Sequence, residues 1–433
     1  MKGLINCDLI GARIVNPASN TDKYQDLFVR EGKVSHSPKT SENCEKINLT
    51  GKIITPSFVD LRLHQKDFAG NRSEPLSTTT ERAARAGFSV LLMMPNTNPV
   101  ADSPAAVRLI LERAQKDAKV NVLLAGTLTQ NAEGKAISPM GSLMEAGISA
   151  VTDCPRSPSN NKIFINAVKY AKMFNLPIIE YPRTSDLSEG SVAHESLLSF
   201  KLGLQGEPRI SEDLAVHRAI AVSKSLDVSI HLSSISTYSS VDLIREAKRK
   251  NVRITADTTA NHLILTEESI QSYDANAKTE PYLCEESDRQ ALIDGVLDGT
   301  IDAITSSHDS WPNHLKKVEF DKAPSGTMGL ETAFSSTYKA LFDKAKDPIA
   351  IIVEKLAINP RRILGLNTEF LADKEQANFN IVDLRNNWEY NQNTMLNGDA
   401  QNSPLLNTLF DARVIAHFYK GKIVYSSIAC KDP

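Results

Sequence analysis

The sequence predicts an α/β protein: a (β/α)8 barrel of the TIM type with a small β-sandwich built from both termini. Three observations predict it. Eight short, almost continuously apolar runs occur in the middle of the chain, which is typical of parallel strands covered on both faces. Helix-like stretches separate these runs. The two ends of the chain differ from this middle part, because short segments of alternating apolar and polar residues occur there. We therefore predict a barrel over 56–370 and a sandwich from 1–55 and 371–433.

The predicted strands share a high content of β-branched and other apolar residues. They are 53–63, 88–94, 120–125, 148–151, 177–181, 228–232, 252–256 and 301–305. The stretches between them have apolar residues at helical spacing and polar starts. The clearest predicted helices are 77–86, 103–118, 161–174, 212–225, 239–250 and 288–297. A doubly wound open sheet is the alternative, but no glycine-rich phosphate loop marks the crevice that such a sheet would need.

The two ends of the chain carry strand-like segments with turn residues between them. These are 12–15 and 26–29 near the start, and 380–383, 412–418 and 422–425 near the end. Strands from both ends can pair into one small domain beside the barrel. Two unrelated tails are the alternative.

The composition of the chain argues against several classes of function. The 433 residues are 41% apolar and 23% charged, as in globular proteins, and the net charge of -3 offers no excess of positive charge for a nucleic acid. No run of about 18 apolar residues predicts a membrane helix, and the first residues lack a signal-peptide layout. We expect a cytoplasmic protein that binds neither membrane nor nucleic acid. Five cysteines without C-x-x-C spacing argue against disulfides or a zinc knuckle.

Functional side chains of such barrels lie where strands end and loops begin. The first predicted strand ends in a run with Asp60, Arg62 and His64, which a two-residue alternation would point to one side. The fourth strand ends at Cys154 and the fifth at Tyr181. Other polar residues at strand ends are Asn96, Asp153, Glu180, His231, Ser234, Asp257, and 306–309.

Seven stretches occur in the order of known family blocks. They are TPSFVDLRLHQK, AARAGFSVLLMMPNTNPVADS, GLQGEPRISEDLAVHRAIAV, SSISTYSSVDLIREAK, ADTTANHLILT, DRQALIDGVLDGTIDAI and APSGTMGLETAF. Over nearly its full length the chain resembles the long-chain dihydroorotases of the amidohydrolase superfamily. The resemblance implies a barrel with a terminal β-sandwich, and zinc in the active relatives.

The resemblance also assigns roles to positions, and most of these positions hold an unexpected residue type. The places of the family's metal ligands and of its base are taken by Arg62, His64, Cys154, Tyr181, Ser234 and Ser307. His64 keeps a ligand of the family type, and Asp153 or Cys154 is a candidate for a second. The remnant of the substrate pocket consists of Lys66, Asn96, Ala323 and Gly326. A substrate-binding block, Asn-Pro-Pro-Leu-Arg in the family, reads Glu-Pro-Tyr-Leu-Cys at 280–284.

These replacements predict the loss of the family's chemistry. A catalytic zinc ion needs about three protein ligands, and Arg62 places a permanent positive charge where a cation would lie. We therefore expect no catalytic residue, no metal and no other cofactor. The chain would be a catalytically inactive homologue, not an enzyme, that supports assembly and activity of aspartate carbamoyltransferase in de novo pyrimidine biosynthesis. The resemblance implies that the partner is the catalytic subunit of aspartate carbamoyltransferase and that this chain forms a homodimer.

The alternative function is an active, metal-dependent cyclic amidohydrolase with a rebuilt site, which converts dihydroorotate to N-carbamoyl-L-aspartate. A small-molecule sensor that uses the pocket remnant is a third hypothesis. Several local hypotheses also stay open. Arg62 could pair with Asp60 or Glu180, and Cys154 could be a buried thiol or a nucleophile. The run 306–309 could form a Ser-His-Asp triad. A relocated metal site could use His64, His231, His262 and His308.

Overall fold

The computed structural model describes residues 5–38, 44–66 and 74–428. Its first strands precede the barrel and are β1 Cys7–Ile10, β2 Arg13–Asn16, β3 Thr21–Tyr24, β4 Leu27–Arg30, β5 Lys33–Ser35, β6 Glu45–Asn48 and β7 Ile53–Pro56. The predicted strand 53–63 is therefore two strands. Its first half is β7, and a break at Ser57 separates it from the first strand of the barrel.

A parallel barrel forms the middle of the chain. The strands there are β8 Phe58–His64, β9 Phe88–Met93, β10 Asn121–Gly126, β11 Ala150–Val151, β12 Ile178–Glu180, β13 Ala193–His194, β14 Gly206–Glu207, β15 Ile230–Leu232, β16 Ile254–Thr259, β17 Ala303–Thr305 and β18 His308–Asp309. All except β13 and β14 form one sheet in the order β17-β16-β15-β12-β11-β10-β9-β8-β18. β17 and β18 are two parts of one segment, interrupted at Ser306 and Ser307. Because β17 pairs with β16 and β18 with β8, the sheet closes on itself, which confirms the predicted barrel.

Helices surround the barrel. They are α1 Leu76–Arg85, α2 Pro104–Asp117, α3 Met140–Ala146, α4 Asn161–Met173, α5 Ser185–Ser188, α6 Leu197–Leu202, α7 Ile210–Leu226, α8 Tyr238–Arg249, α9 Glu286–Asp298, α10 Asn313–Lys316, α11 Ala333–Leu341, α12 Ile349–Val353 and α13 Asn359–Ile363. The six clearest sequence predictions each match a helix to within two residues. In α2, for example, the Ser103 hydroxyl accepts from the Ala106 backbone N–H, and Val107 and Ile110 are buried. Among the described residues no helix has the length and apolar character needed to cross a bilayer.

The last strands join the first ones. They are β19 Phe379–Asp383, β20 Trp388–Tyr390, β21 Thr408–Phe410, β22 Arg413–Tyr419 and β23 Lys422–Ser426. β19 pairs with β7 and β22, and this gives a six-stranded sheet, β23-β22-β19-β7-β2-β3. A four-stranded sheet, β5-β4-β1-β6, shares an apolar core with it, in which Leu9 and Leu27 contact the same cluster as Phe379 and Phe418. Both termini therefore build one β-rich domain, as predicted. The exact domain limits stay predictions.

A separate apolar cluster comes almost entirely from the barrel strands. It includes Val59, Leu61 and Ile179 together with Cys154 and Tyr181. Side chains therefore fill the barrel interior, as expected for this fold. The last two of these residues lie where this interior meets the carboxyl ends of the strands.

Candidate functional site

Arg62 is the central unusual residue of the barrel mouth. Its side chain is fully buried, and its Nε donates to Nε2 of His64 at 3.1 Å. The guanidinium carbon lies 4.5 Å from the centre of the Tyr181 ring. In the part of the chain that the structure describes, Nη1 and Nη2 have no hydrogen-bond partner. Burying a hydrogen-bond donor without an acceptor costs free energy. An acceptor from a ligand or from water would remove this cost by bonding to these two nitrogens.

The expected ion pairs of Arg62 are wrong. Asp60 instead accepts from the hydroxyl of Thr305 and from the N–H and hydroxyl of Ser306, each at 2.7 Å. Glu180 pairs with Arg218 at 2.7 Å. The pairing of β8 with β9 shifts between residues 60 and 63, and Arg62 and His64 contact each other on this strand. Charge alone suggested partners for Arg62, whereas Asp60 is held by Thr305 and Ser306, and the Oε1 atom of Glu180 pairs with Arg218.

Cys154 and Tyr181 lie beside this guanidinium, and both are buried. Burial raises the pKa of the Cys154 thiol to about 12, and the charge of Arg62 offsets only part of that effect. The thiol is therefore protonated at neutral pH, which argues against a nucleophile. The Tyr181 hydroxyl donates to the carboxylate of Glu280, and burial raises its pKa well above the usual value.

Ser234 and Ser307 occupy turns. Both have a positive φ, 60° and 47°, which is uncommon for serine. The backbone N–H of Ser234 donates to Asp257 at 2.6 Å. The hydroxyl of Ser307 donates to the backbone carbonyl of Glu280 at 3.1 Å, so it anchors the segment that carries this carboxylate.

The accessible rim of the mouth contains Lys66 and Asn96, both partly exposed. The Lys66 ammonium lies 2.6 Å from Oδ2 of Asp309 and 3.9 Å from the centre of the Trp311 ring. Oδ1 of Asp309 has no hydrogen-bond partner among residues 5–38, 44–66 and 74–428. Asn96 Oδ1 lies 3.0 Å from Nδ1 of His64. Burial and the charge of Arg62 keep the pKa of His64 well below its usual value, so this ring is neutral.

The turn with Ala323 and Gly326 completes the rim. The Ala323 carbonyl accepts from Nζ of Lys278 at 2.8 Å. Gly326 has a φ of +115°, and a Cβ there would lie 2.3 Å from Oδ2 of Asp309. Only glycine therefore lets the turn approach this carboxylate closely. Gly326 therefore lies beside Asp309, the ion-pair partner of Lys66, and Asn96 lies at the same mouth. Lys278 holds Ala323 in the same turn.

Comparisons with known proteins agree with this architecture. The family model described as dihydro-orotase-like matches residues 51–240. The dihydroorotase of Caldicellulosiruptor saccharolyticus is 35% identical over 417 residues, which cover 95% of this chain and 97% of that relative. The dihydroorotase of Geotalea daltonii is 34% identical over 97% of this chain and 99% of its own. The chain belongs to the dihydroorotase family.

Solved structures of other proteins have a similar fold. The L-hydantoinase of Arthrobacter aurescens matches with a TM-score of 0.84 at 18% identity, over 98% of this chain and 96% of its own. The dihydropyrimidinase of Brevibacillus agri matches with a TM-score of 0.81 at 17% identity, over 98% and 95%. Both support the barrel with a β-rich terminal domain that this dihydroorotase-family chain shows.

These relatives contradict our prediction of an inactive homologue. Several relatives that match over 95–97% of this chain, at 31–35% identity, are named dihydroorotase. The prediction that the chain is a non-enzyme that only supports another enzyme is therefore wrong. The alternative, an active cyclic amidohydrolase with a rebuilt site, agrees better with the comparisons. The error arose because the prediction considered only the residue types at the family's metal-ligand positions. Residues from other parts of the chain can also place side chains in the barrel mouth.

The mouth of this dihydroorotase-family chain does not fit the metal centre that the resemblance implies. Of the family's ligand positions, His64 alone offers an imidazole, and both its ring nitrogens already face Arg62 and Asn96. A guanidinium and a protonated thiol repel or fail to bind a divalent cation. The residues at these positions therefore do not fit a zinc ion.

The histidines of the proposed relocated metal site do not converge either. His231 bonds to Thr255 and Asp257, at 2.9 and 2.8 Å. His262 has Thr259 and the Tyr282 carbonyl as partners. Nδ1 of His308 accepts from the Gly329 N–H at 3.3 Å and no serine hydroxyl donates to it among the described residues, which removes the Ser-His-Asp triad.

Sequence reasoning missed one group with metal-ligand geometry. His194, Cys284 and Asp288 have ligand atoms within 4.8 Å of one another. Nη2 of Arg209 lies 3.3 Å from Nε2 of His194 and 2.7 Å from Oδ2 of Asp288. A guanidinium nitrogen therefore already contacts two of the three ligands. Cys284 and Asp288 are four residues apart, but His194 lies 90 residues before Cys284, so no local signal in the sequence linked it to them.

Proposed function

We propose that this chain hydrolyses a cyclic amide of the dihydroorotate class and opens dihydroorotate to N-carbamoyl-L-aspartate. The observation that carries the proposal is the near full-length identity of 31–35% to relatives named dihydroorotase. An identity at this level that extends over both the barrel and the terminal domain favours a shared reaction over a shared fold alone.

The hydrogen-bonding groups at the mouth support this substrate class. A cyclic amide carries carbonyl oxygens that accept and ring N–H groups that donate. Within residues 5–38, 44–66 and 74–428, nothing bonds to the donors Nη1 and Nη2 of Arg62 or to the acceptor Oδ1 of Asp309. Residues 64 and 309 are paired on adjacent strands, and Nε2 of His64 accepts from Arg62. The Arg62 guanidinium and the Asp309 carboxylate therefore lie at the same end of the barrel. The Lys66 ammonium adds a positive charge at the rim for a substrate carboxylate.

Ring opening consumes one water molecule. The water oxygen bonds to the ring carbonyl carbon, the C–N bond breaks, and the nitrogen gains a proton. The new carboxyl group ionises in water. An enzyme must therefore stabilise charge on the carbonyl oxygen and move one proton from water to nitrogen.

The test is turnover by the purified full-length chain. Dihydroorotate and N-carbamoyl-L-aspartate are each added, and both are quantified by chromatography over time. We expect conversion above the rate without protein. Lys66→Met is expected to raise KM by about 10-fold, because one charge-assisted contact contributes about 1.4 kcal/mol or more. The Lys322→Met variant, whose mostly exposed ammonium pairs with an exposed Glu319, should leave KM unchanged. No conversion in either direction would contradict the proposed function.

We further propose, on the resemblance alone, a homodimer that associates with the catalytic subunit of aspartate carbamoyltransferase in the cytoplasm. Sedimentation velocity of the chain alone should give twice its 47.5 kDa. Addition of the transferase of the same organism should produce a faster species that contains both proteins. Two independent boundaries at micromolar concentrations would argue against this partner.

A further inference from the structure

The family's metal positions hold a contiguous group of another kind. The Arg62 guanidinium stacks on the Tyr181 ring at 4.5 Å, and the Tyr181 hydroxyl donates to the Glu280 carboxylate. We propose that Arg62 and Glu280 together open the ring without a metal ion, with Arg62 as the electrophile and Glu280 as the group that transfers the proton. This inference rests on the proposed hydrolase function.

Arg62 has the properties of an electrophile for a carbonyl oxygen. It is permanently charged, it is held rigidly by His64 and by the Tyr181 ring, and it has two nitrogens that no described residue uses. A fixed charge in an environment of low polarity stabilises developing negative charge far better than a group in water. Its position at a former ligand site therefore replaces one function of the missing cation.

Glu280 has the properties of a proton carrier. Residue 280 as a whole is partly exposed, and its carboxylate accepts from the hydroxyl of the buried Tyr181. The Ser307 hydroxyl fixes its backbone carbonyl. Burial raises the pKa of Glu280, and the Tyr181 hydrogen bond and the charge of Arg62 counteract this only in part. A carboxylate of raised pKa is a better general base near neutral pH.

The step then balances with water as the only co-reactant. The Glu280 carboxylate takes a proton from water while the water oxygen bonds to the ring carbonyl carbon. The negative charge on the carbonyl oxygen faces Arg62. As the C–N bond breaks, protonated Glu280 gives this proton to the nitrogen, and the carboxylate is restored. One bond to oxygen forms, one bond to nitrogen breaks, and no electron is transferred to an outside acceptor.

The first experiment separates this inference from the proposed function. The full-length protein is assayed as isolated, after treatment with a chelator, and after addition of one equivalent of zinc, and its metal content is measured by elemental analysis. We expect the chelated protein to hold less than about 0.1 metal ion per chain and to keep its turnover. Turnover that is lost with the chelator and restored by stoichiometric zinc would overturn the inference but leave the proposed function intact. No turnover in any sample would overturn both.

The second experiment tests the two residues. Glu280→Gln keeps a partner for the Tyr181 hydroxyl but cannot carry a proton, so kcat should fall by about 100-fold or more. Arg62→Lys should lower kcat by about 100- to 1000-fold. Glu145→Gln, an exposed glutamate on α3, is the matched control and should leave kcat unchanged.

Thermal unfolding shows whether each variant is folded. Should Arg62→Lys unfold, Glu280→Gln at a partly exposed position still decides the matter. A Glu280→Gln variant that melts like the parent protein and turns over at the parent rate would overturn the inference.

Discussion

Replacing Arg82 by methionine is expected to lower the free energy of unfolding by about 3–5 kcal/mol. Arg82 is fully buried in α1, and its guanidinium lies 2.7 Å from Glu74 and 2.6 Å from Glu331. Glu74 precedes the first helix after β8, and Glu331 follows β18. The bridge therefore ties together the segments that leave the first and the last strands of the barrel. Removing the arginine leaves two buried carboxylates without a counter-charge, which costs more than the ion pair itself contributes.

Denaturant titration of both proteins measures this effect from the midpoint and slope of the transition. Arg253→Met is the matched control, because that arginine is mostly exposed and lies 3.8 Å from an exposed Asp227. We expect it to change the free energy of unfolding by less than about 0.5 kcal/mol. A loss below about 1 kcal/mol for Arg82→Met would mean that Glu74 and Glu331 find other partners or take up protons.

The fold could be predicted because the barrel strands carry a strong local signal. β9 and β10 are nearly continuous apolar runs, and α2 has a capping serine and an apolar face. Two details had no such signal. β7 and β8 are both buried, so the break at Ser57 does not interrupt the apolar run. The last barrel strand is divided at Ser307, whose positive φ is uncommon for serine.

The site could be predicted in position but not in contacts. The sequence placed Arg62 and Tyr181 at strand ends, and the structure stacks them. It could not show that the partner of Tyr181 is Glu280, because 99 residues separate them in the chain. The partners of a buried polar group are set by long-range packing, which a local pattern does not encode. For the same reason, a count of lost ligands could not reveal a site built from other residues.

The second large effect concerns Lys316, which fastens the segment after β18 across the barrel mouth. Nζ of Lys316 donates to the backbone carbonyls of Ala275 at 3.0 Å and Pro324 at 2.7 Å. Burial, together with the charges of Lys278 and Lys66, lowers its pKa to about 7 although Asp309 opposes this shift. In the unfolded chain a lysine has its ordinary pKa, given as 10.5. Between these two values the unfolded state binds the additional proton, so the free energy of unfolding must rise with pH.

We therefore expect wild type to gain stability relative to Lys316→Met as the pH rises. The gain should be about 2–3 kcal/mol between about pH 6.5 and 9.5, because each pKa unit corresponds to about 1.4 kcal/mol. The gain has this sign because the cost of burying the ammonium is fully present at the lower pH and is lost as the folded protein releases its proton. Urea titrations of both proteins across this range measure the difference.

Lys322→Met serves as the control for this prediction, since Lys322 is mostly exposed and lies 3.4 Å from an exposed Glu319. Its stability relative to wild type should hardly depend on pH over the same range. A parallel pH dependence of wild type and Lys316→Met would show that Lys316 stays charged in the folded protein. In that case Asp309 would outweigh the burial of the ammonium, and Lys316 would hold the rim through charge as well as through its two backbone carbonyl partners.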